Sequence, residues 1–319
     1  MSHVISARGL TMRFPGCQAL SGIDFEVPRG SVFALLGENA AGKTTLIRIL
    51  TGFLQPTAGT CQVLGLDPTR EALEIRRRIG YVAEAPALYD WMQVGEIGWF
   101  ASAFYPPGFL DRYRDAVRRF ELSPDWKLRR LSKGQRAKVA LALALAPDPE
   151  LLILDEPTSG LDPLVRREFL ESMVDRAAVG KTVLLSSHQI AEVERVADHV
   201  AILRQGKFCL VRPLSELKES VSLVTVNLAD PLIALPSLEG PAEVLSEQAS
   251  GRQRQWIVMG FTSEHQQQLE QHPGVAGVAA RSATLDEIFV ACMRPLHQSS
   301  SESGSESASE PAYCEVPTA

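Results

Sequence analysis

Residues 1–30 carry apolar positions spaced in the manner of strands: Ile5, Leu10 and Phe14, then Ile23, Phe25 and Val27. Such spacing predicts extended segments with one buried face. Pro28-Arg29-Gly30 predicts a turn, and Ser31-Val32-Phe33-Ala34-Leu35-Leu36 is a short apolar run that reads as a buried strand. Thr45-Leu46-Ile47-Arg48-Ile49-Leu50 reads as a helix, and residues 70–130 read as helical and irregular, with several prolines. Three more continuous apolar runs follow at 151–154, 182–186 and 200–203. Unbroken apolar strands are what a parallel sheet covered on both faces requires. Helical segments lie between them, so the chain predicts an α/β fold.

The pattern changes after about residue 215. Val221-Ser222-Leu223-Val224-Thr225-Val226-Asn227-Leu228 alternates as a strand, turns with Pro and Gly follow, and Trp256-Ile257-Val258-Met259 is a second apolar run. Thr284-Leu285-Asp286-Glu287 is a capping box, with Leu285, Ile288, Phe289 and Cys292 on one helical stripe behind it. The expected organisation is a main domain over 1–215, a small α+β appendage over 221–295, and a tail over 299–319. That tail is serine-rich and carries four glutamates with no lysine or arginine, so it is expected to be disordered.

Composition narrows the class. The 319 residues are 45% hydrophobic, enough for a full core, and the net charge of −6 argues against a nucleic-acid binder. Cys17, Cys61, Cys209, Cys292 and Cys314 form no C-x-x-C pair, which suits a reducing compartment. The first residues lack an apolar signal core. The longest purely apolar run, residues 139–146, is far below the ~20 residues that cross a bilayer. Any membrane span must come from another subunit.

Gly37-Glu38-Asn39-Ala40-Ala41-Gly42-Lys43-Thr44 fits G-x-x-x-x-G-K-[ST] between the predicted strand and helix. That spacing wraps backbone N–H groups around a nucleotide's phosphates, with Lys43 on the β- and γ-phosphates and Thr44 on Mg²⁺. The positive end of the helix would add to this. Leu151-Leu152-Ile153-Leu154-Asp155-Glu156 ends a buried strand in two acids: Asp155 suits Mg²⁺, and Glu156 can polarise a water for attack on the γ-phosphate. Leu131-Ser132-Lys133-Gly134-Gln135 is a capping box whose helix start also offers N–H groups and a hydroxyl to an anion.

Together these motifs resemble the nucleotide-binding subunit of ABC transporters, over residues 3 to about 215. The resemblance implies a P-loop ABC ATPase domain, a mixed sheet core with a helical subdomain at about 85–145. It implies ATP and Mg²⁺, and two ATPase subunits, homo- or heterodimeric, that sandwich two nucleotides. Phe14 sits where an aromatic stacks on adenine. Gly37, Glu38, Asn39, Ala40, Ala41, Gly42, Lys43, Thr44 and Thr45 would hold the phosphates. Ser132, Lys133, Gly134 and Gln135 match the signature that contacts ATP on the opposite subunit. Gly160-Leu161-Asp162 looks like the D-loop, with Asp162-Pro163 also a helix start. His188 looks like the switch histidine. Thr44, Glu84 and Asp155 are the expected Mg²⁺ ligands, and Glu156, His188, Lys43 and Glu84 the expected catalytic set.

Three positions depart from the family pattern. Lys133 replaces the middle glycine of L-S-G-G-Q, and Ala40 replaces another glycine. If the loop needs positive φ at 40, alanine costs on the order of 1 kcal/mol; if not, the change is harmless. Glu84, after Gly80-Tyr81-Val82-Ala83, replaces the usual Q-loop glutamine, and its carboxylate adds charge beside the γ-phosphate.

Residues 81–105 hold seven of the 21 aromatics, either as a subdomain core or as an exposed anchor groove. In ABC transporters this segment meets the membrane subunit, which places Tyr89 and Trp91 near that contact. Ten lysines and arginines against three acids over 112–138 read as a solvated face that also attracts ATP. The expectation is an ATPase subunit, cytoplasmic and peripheral on the inner face of the cell membrane, that drives a polytopic permease. The helix at Thr284-Leu285-Asp286-Glu287-Ile288-Phe289 is similar to that of ABC-2-type exporter ATPases and favours export. Two alternatives are a soluble ABC ATPase acting on ribosomes or DNA, and a nucleotide-binding regulator with little catalysis. No nucleic acid is expected.

Overall fold

The computed structural model describes residues 3–238, 240 and 242–294; the tail expected over 299–319 lies outside the described residues. These fall into two compact units that divide between Val211 and Arg212.

The first unit is built from β1 (His3–Phe14), β2 (Cys17–Pro28), β3 (Val32–Leu36), α1 (Lys43–Leu50), β4 (Ala58–Val63), α2 (Ala72–Arg78), β5 (Ile79–Val82), α3 (Val94–Ser102), α4 (Phe109–Arg119), α5 (Lys133–Leu145), β6 (Leu151–Asp155), α6 (Pro163–Ala178), β7 (Thr182–Ser187), α7 (Ile190–Val196), β8 (His199–Arg204) and β9 (Lys207–Pro213). Among the described residues, β2-β1-β4 form a three-stranded antiparallel sheet, and β5-β6-β7-β3-β8-β9 a six-stranded one. The strands from β5 to β8 are parallel in that order.

The apolar runs of β3, β6, β7 and β8 alternate between two cores, as a sheet covered on both sides demands. Phe33, Leu35, Leu151, Ile153, Leu184, Ala201 and Leu203 pack with α1 and the antiparallel sheet. The intervening residues of β3 and β7 face the side taken by α6 and α7. The irregular stretch predicted over 70–130 contains a strand as well: β5 pairs with β6 from Ile79↔Leu151 to Val82↔Leu154. Only four residues long, it has no periodicity of its own, and the ladder with β6 makes it a strand.

In the second unit α8 (Leu214–Ser220), β10 (Val221–Leu228), β11 (Glu243–Ser250), β12 (Gln253–Met259), α9 (Ser263–Glu270), β13 (Val275–Ser282) and α10 (Leu285–Met293) follow in order. The four strands pair antiparallel as β11-β12-β10-β13. Val224, Val226, Trp256, Val258 and Leu269 form its core. The Thr284 capping box starts α10, which buries Leu285, Ile288 and Ala291. Phe289 and Cys292, expected on the same stripe, are only half-buried.

Helices α3 and α4 meet where Gly98 faces the buried ring of Tyr113, whose hydroxyl donates to the Val94 carbonyl at 2.7 Å. A β-carbon at Gly98 would lie 2.0 Å from the Tyr113 ring. Gly98→Ala is therefore expected to lower stability by about 2–3 kcal/mol, as overpacking does. Urea unfolding measures this, and a parental midpoint would show that the two helices can part at no cost.

Candidate functional site

Parallel strands bring three chain segments to one edge. Leu36 pairs with Ser187 and Asp155 pairs with Ser186, so the loop after β3, the acids ending β6 and the histidine after β7 lie side by side. Ligands of α/β sheets bind at such carboxyl ends.

The loop over 37–44 turns sharply into α1. Gly42 caps the helix at φ 109°, and a β-carbon there would meet the Ala19 carbonyl oxygen at 2.6 Å. Ala41 N–H donates to the Glu38 carbonyl, and the Ala41 carbonyl accepts from Gly206 N–H. Glu38, Asn39 and Ala40 are exposed; Gly37, Ala41, Gly42 and Thr45 are buried. Ala40 has φ 61°, in the left-handed region. The conditional cost stated for alanine at this position therefore applies.

Lys43 is only 6% exposed. Its ammonium donates to the carbonyls of Gly37 at 2.7 Å and Glu38 at 3.1 Å, and lies 3.1 Å from Glu156 Oε1. That last contact is an ion pair without hydrogen-bond alignment, so Glu156 Oε1 has no aligned donor among the described residues. Glu156 Oε2 lies 2.8 Å from His188 Nδ1. The Glu156 backbone has φ 47°.

One hydroxyl organises both acids. Ser186 Oγ donates to Asp155 Oδ1 at 2.7 Å and accepts from the Glu156 N–H at 2.9 Å. Burial pushes the Asp155 carboxyl above its ordinary value; hydrogen bonds from Ser186 and Thr44 oppose this, and the Glu156 charge adds to it. Burial also pushes the Tyr81 hydroxyl up to about 12, with the Asp155 charge contributing, which places the end of β5 near the acids.

The remaining candidates lie apart from this cluster. Phe14 ends β1, half-buried against the core. Glu84 is exposed beyond β5, and no hydrogen bond or ion pair holds it among the described residues. Ser132 caps α5: its Oγ accepts from Gln135 N–H, and Gln135 Oε1 accepts from Ser132 N–H at 2.9 Å. Lys133 lies across Gly160, its Nζ 2.7 Å from where a β-carbon there would stand. Gly134 is buried with Val165 and Asp162 nearby. Asp162 caps α6 by accepting from the N–H groups of Leu164 and Val165, with Pro163 at the first turn. Sequence reasoning missed the bridging role of Ser186. A hydroxyl inside an apolar strand, two residues before His188, was the available signal.

The seven aromatics divide. Tyr105 stacks on the buried Phe109, whereas Tyr89, Trp91, Trp99 and Phe104 are each more than half exposed. Tyr89 packs edge-on to Phe100, and Phe100 to Phe104.

The residues fit a nucleotide with a divalent cation. The first turn of α1 holds no acid to cancel its positive end, so an anionic phosphate suits it. Asp155 and Thr44, carboxylate beside hydroxyl, form a hard-oxygen pair of the kind Mg²⁺ takes together with phosphates.

A lysine-bearing loop between strand and helix, with strand-end acids on the next strand but one, across β7, defines a P-loop nucleotide-binding domain. The ABC transporter family profile matches residues 20–159. The chain is similar to a Nod factor export ATP-binding protein I of Ralstonia nicotianae, 34% identical over 303 residues, covering 90% of this chain and 92% of that protein. It is 39% identical over 206 residues to an uncharacterized ABC transporter ATP-binding protein of Nostoc; there the match takes in 62% of this chain and spans 61% of the relative's length. A solved structure of the ATP binding subunit of an ABC transporter superposes with TM-score 0.63 at 30% identity, over 68% of this chain and 92% of that one. The chain belongs to the ABC transporter ATP-binding family and is an ABC ATPase.

Ala40→Gly relieves the left-handed alanine but adds freedom to the unfolded chain. The net expectation is a gain of up to about 1 kcal/mol. Chemical denaturation checks it, and a loss of stability would show that the freedom regained by the unfolded chain outweighs the relief at φ 61°.

Proposed function

We propose that this ABC ATPase powers an exporter, as one of two ATPase subunits beneath a polytopic permease on the inner face of the membrane. The observation that carries the reading is the Lys43–Glu156–His188 chain of contacts at the edge shared by β6, β7 and β3. The relative named for Nod factor export matches through the second unit as well as the first, which favours export.

The loop N–H groups and Lys43 bind and neutralise the phosphates of ATP. Thr44 and Asp155 would hold Mg²⁺, which supplies charge neutralisation when bound. Phosphates compete with the Gly37 and Glu38 carbonyls and with Glu156 for the Lys43 ammonium. Once Lys43 turns to them, Glu156 Oε1 is released. Glu156 then takes a proton from water as general base, while His188 Nδ1 orients its other oxygen. Ser186 holds Asp155 and Glu156 in register throughout. Ser132, Lys133, Gly134 and Gln135 face the nucleotide of the second subunit, and Phe14 stacks on adenine. Among the described residues no helix is long and apolar enough to cross a membrane, so the permease supplies the spans. Tyr89 and Trp91 lie on the exposed aromatic surface that would receive it. Near it a cavity of about 420 Å³ is lined by Phe53, Arg76, Tyr81, Leu88 and Tyr105.

Glu156→Gln is expected to cut ATP hydrolysis by ~10²–10⁴-fold, the usual contribution of a general base, while keeping nucleotide bound. Purified from its native host with ATP and detergent, this variant should bring down a polytopic membrane protein; ribosomal or DNA-bound partners instead would overturn the reading. Glu84→Gln restores the family's amide and should change turnover and its Mg²⁺ dependence. Identical kinetics would remove Glu84 from the site.

A further inference from the structure

Glu192 is an acid that nothing in the nucleotide chemistry above requires. It sits on α7, four residues beyond His188, and is only 8% exposed. Its Oε2 accepts a hydrogen bond of 2.7 Å from the hydroxyl of buried Thr158, two residues beyond Glu156. Its Oε1 lies 2.9 Å from Nε of Arg166 on α6. The Arg166 guanidinium in turn donates through Nη2 to the Leu161 carbonyl at 3.1 Å, immediately before Asp162. One carboxylate thus ties together three segments: the turn carrying Glu156, the loop ending at Asp162, and the helix following His188.

The geometry is not that of a simple stabilising pair. Glu192 Oε1 and Arg166 Nε are in ion contact, yet neither has an aligned hydrogen-bond partner among the described residues. Withdrawing the Glu192 carboxylate and the Arg166 Nε from water with that bond unaligned recovers less than it costs, although 29% of the Arg166 side chain stays exposed, and apolar side chains would hold the same elements together at least as well. A buried pair of this kind is better suited to fixing one arrangement over others.

We propose that Glu192, acting with Arg166 and Thr158, is a positioning residue for ATP hydrolysis. It holds the segment over 160–162 in register with Glu156 and His188, so that a shift at the second subunit's interface is felt at the proposed base. This rests on the ATPase mechanism proposed above. Glu192 is buried against Thr158 and Arg166 and is none of the groups assigned to the nucleotide, so its loss is expected to act on the chemical step and spare binding.

The test compares the full-length parent, Glu156→Gln, Glu192→Gln, and the triple variant Thr158→Val/Arg166→Leu/Glu192→Leu, each in the complex in which the parent is isolated. Glu192→Gln keeps an acceptor for Thr158 and removes the charge facing Arg166. Its kcat is expected to fall about tenfold or more, the scale on which a small misplacement of a reacting group acts. The affinity for a fluorescent ATP analogue should stay within about twofold, the pattern of an interaction made only in the transition state. The triple variant should unfold at or above the parental temperature and still turn over slowly. Parental kcat in either folded variant would overturn the proposal, as would a rise in ATP KM with kcat unchanged. Failure of both to fold would assign the trio to structure alone and overturn it equally. A parent whose hydrolysis is indifferent to Glu156→Gln would sink the mechanism itself, a result separable from any of these.

Discussion

The buried ammonium of Lys43 is the constraint on which the strand-end arrangement depends. Taking such a charge out of water costs several kcal/mol unless oxygens replace its hydration. Two carbonyls of its own loop and the carboxylate of Glu156 do so. The compensation is also a tether, because Glu156 belongs to the end of β6 and the carbonyls to the turn after β3. Glu156 reaches the ammonium with its backbone at φ 47°, where a side chain with a β-carbon is disfavoured. Its N–H is anchored on Ser186. Strain at this turn is therefore sustained by contacts from the β7 segment and from Lys43 on α1, the condition under which such strain persists at functional sites.

Those contacts exist because of strand order. β7 lies between β6 and β3, so its Ser186 can bridge the acids of β6 while the following His188 reaches Glu156. Parallel pairing places all three strand ends at one edge, and the apolar cores on both faces leave that edge as the place where polar groups can gather. The antiparallel sheet contributes from the other side, where the Ala19 carbonyl closes on Gly42, and the turn between β8 and β9 adds the Gly206 N–H, which donates to Ala41. The loop is shaped as much by β2 and the turn after β8 as by its own sequence.

What could be read from the chain was what short spacing encodes. The loop over 37–44, the acids ending β6 and the capping boxes at Ser132 and Thr284 are each settled within eight residues, and each sits on the element predicted for it. The long apolar strands were equally plain. The short or edge strands β4, β5, β11 and β13 were not, because their residues are held by neighbours rather than by a pattern of their own. β4, for example, exposes four of its six residues. Ala40 shows a different limit: sequence could state what positive φ would cost but not whether the loop adopts it. Thr158, Arg166 and Glu192 escaped for a third reason. Thr158 and Glu192 are 34 positions apart, and a partner at that distance leaves no local trace.

Lys133 brings these strands of argument together. A cation at the first position of α5 opposes the helix dipole, and no acid in that turn offsets it. The side chain instead runs back over Gly160, so its alkyl stem covers backbone while its charge stays at the surface. A β-carbon at Gly160 would lie 2.7 Å from Nζ, a contact that the flexible end of the lysine could relieve by turning away. The lysine that departs from the family's glycine at 133 thus lies over a glycine whose φ of 68° is reason enough for a residue without a β-carbon. The same contact joins the start of α5 to the loop that Arg166 and Glu192 hold against the Glu156 turn.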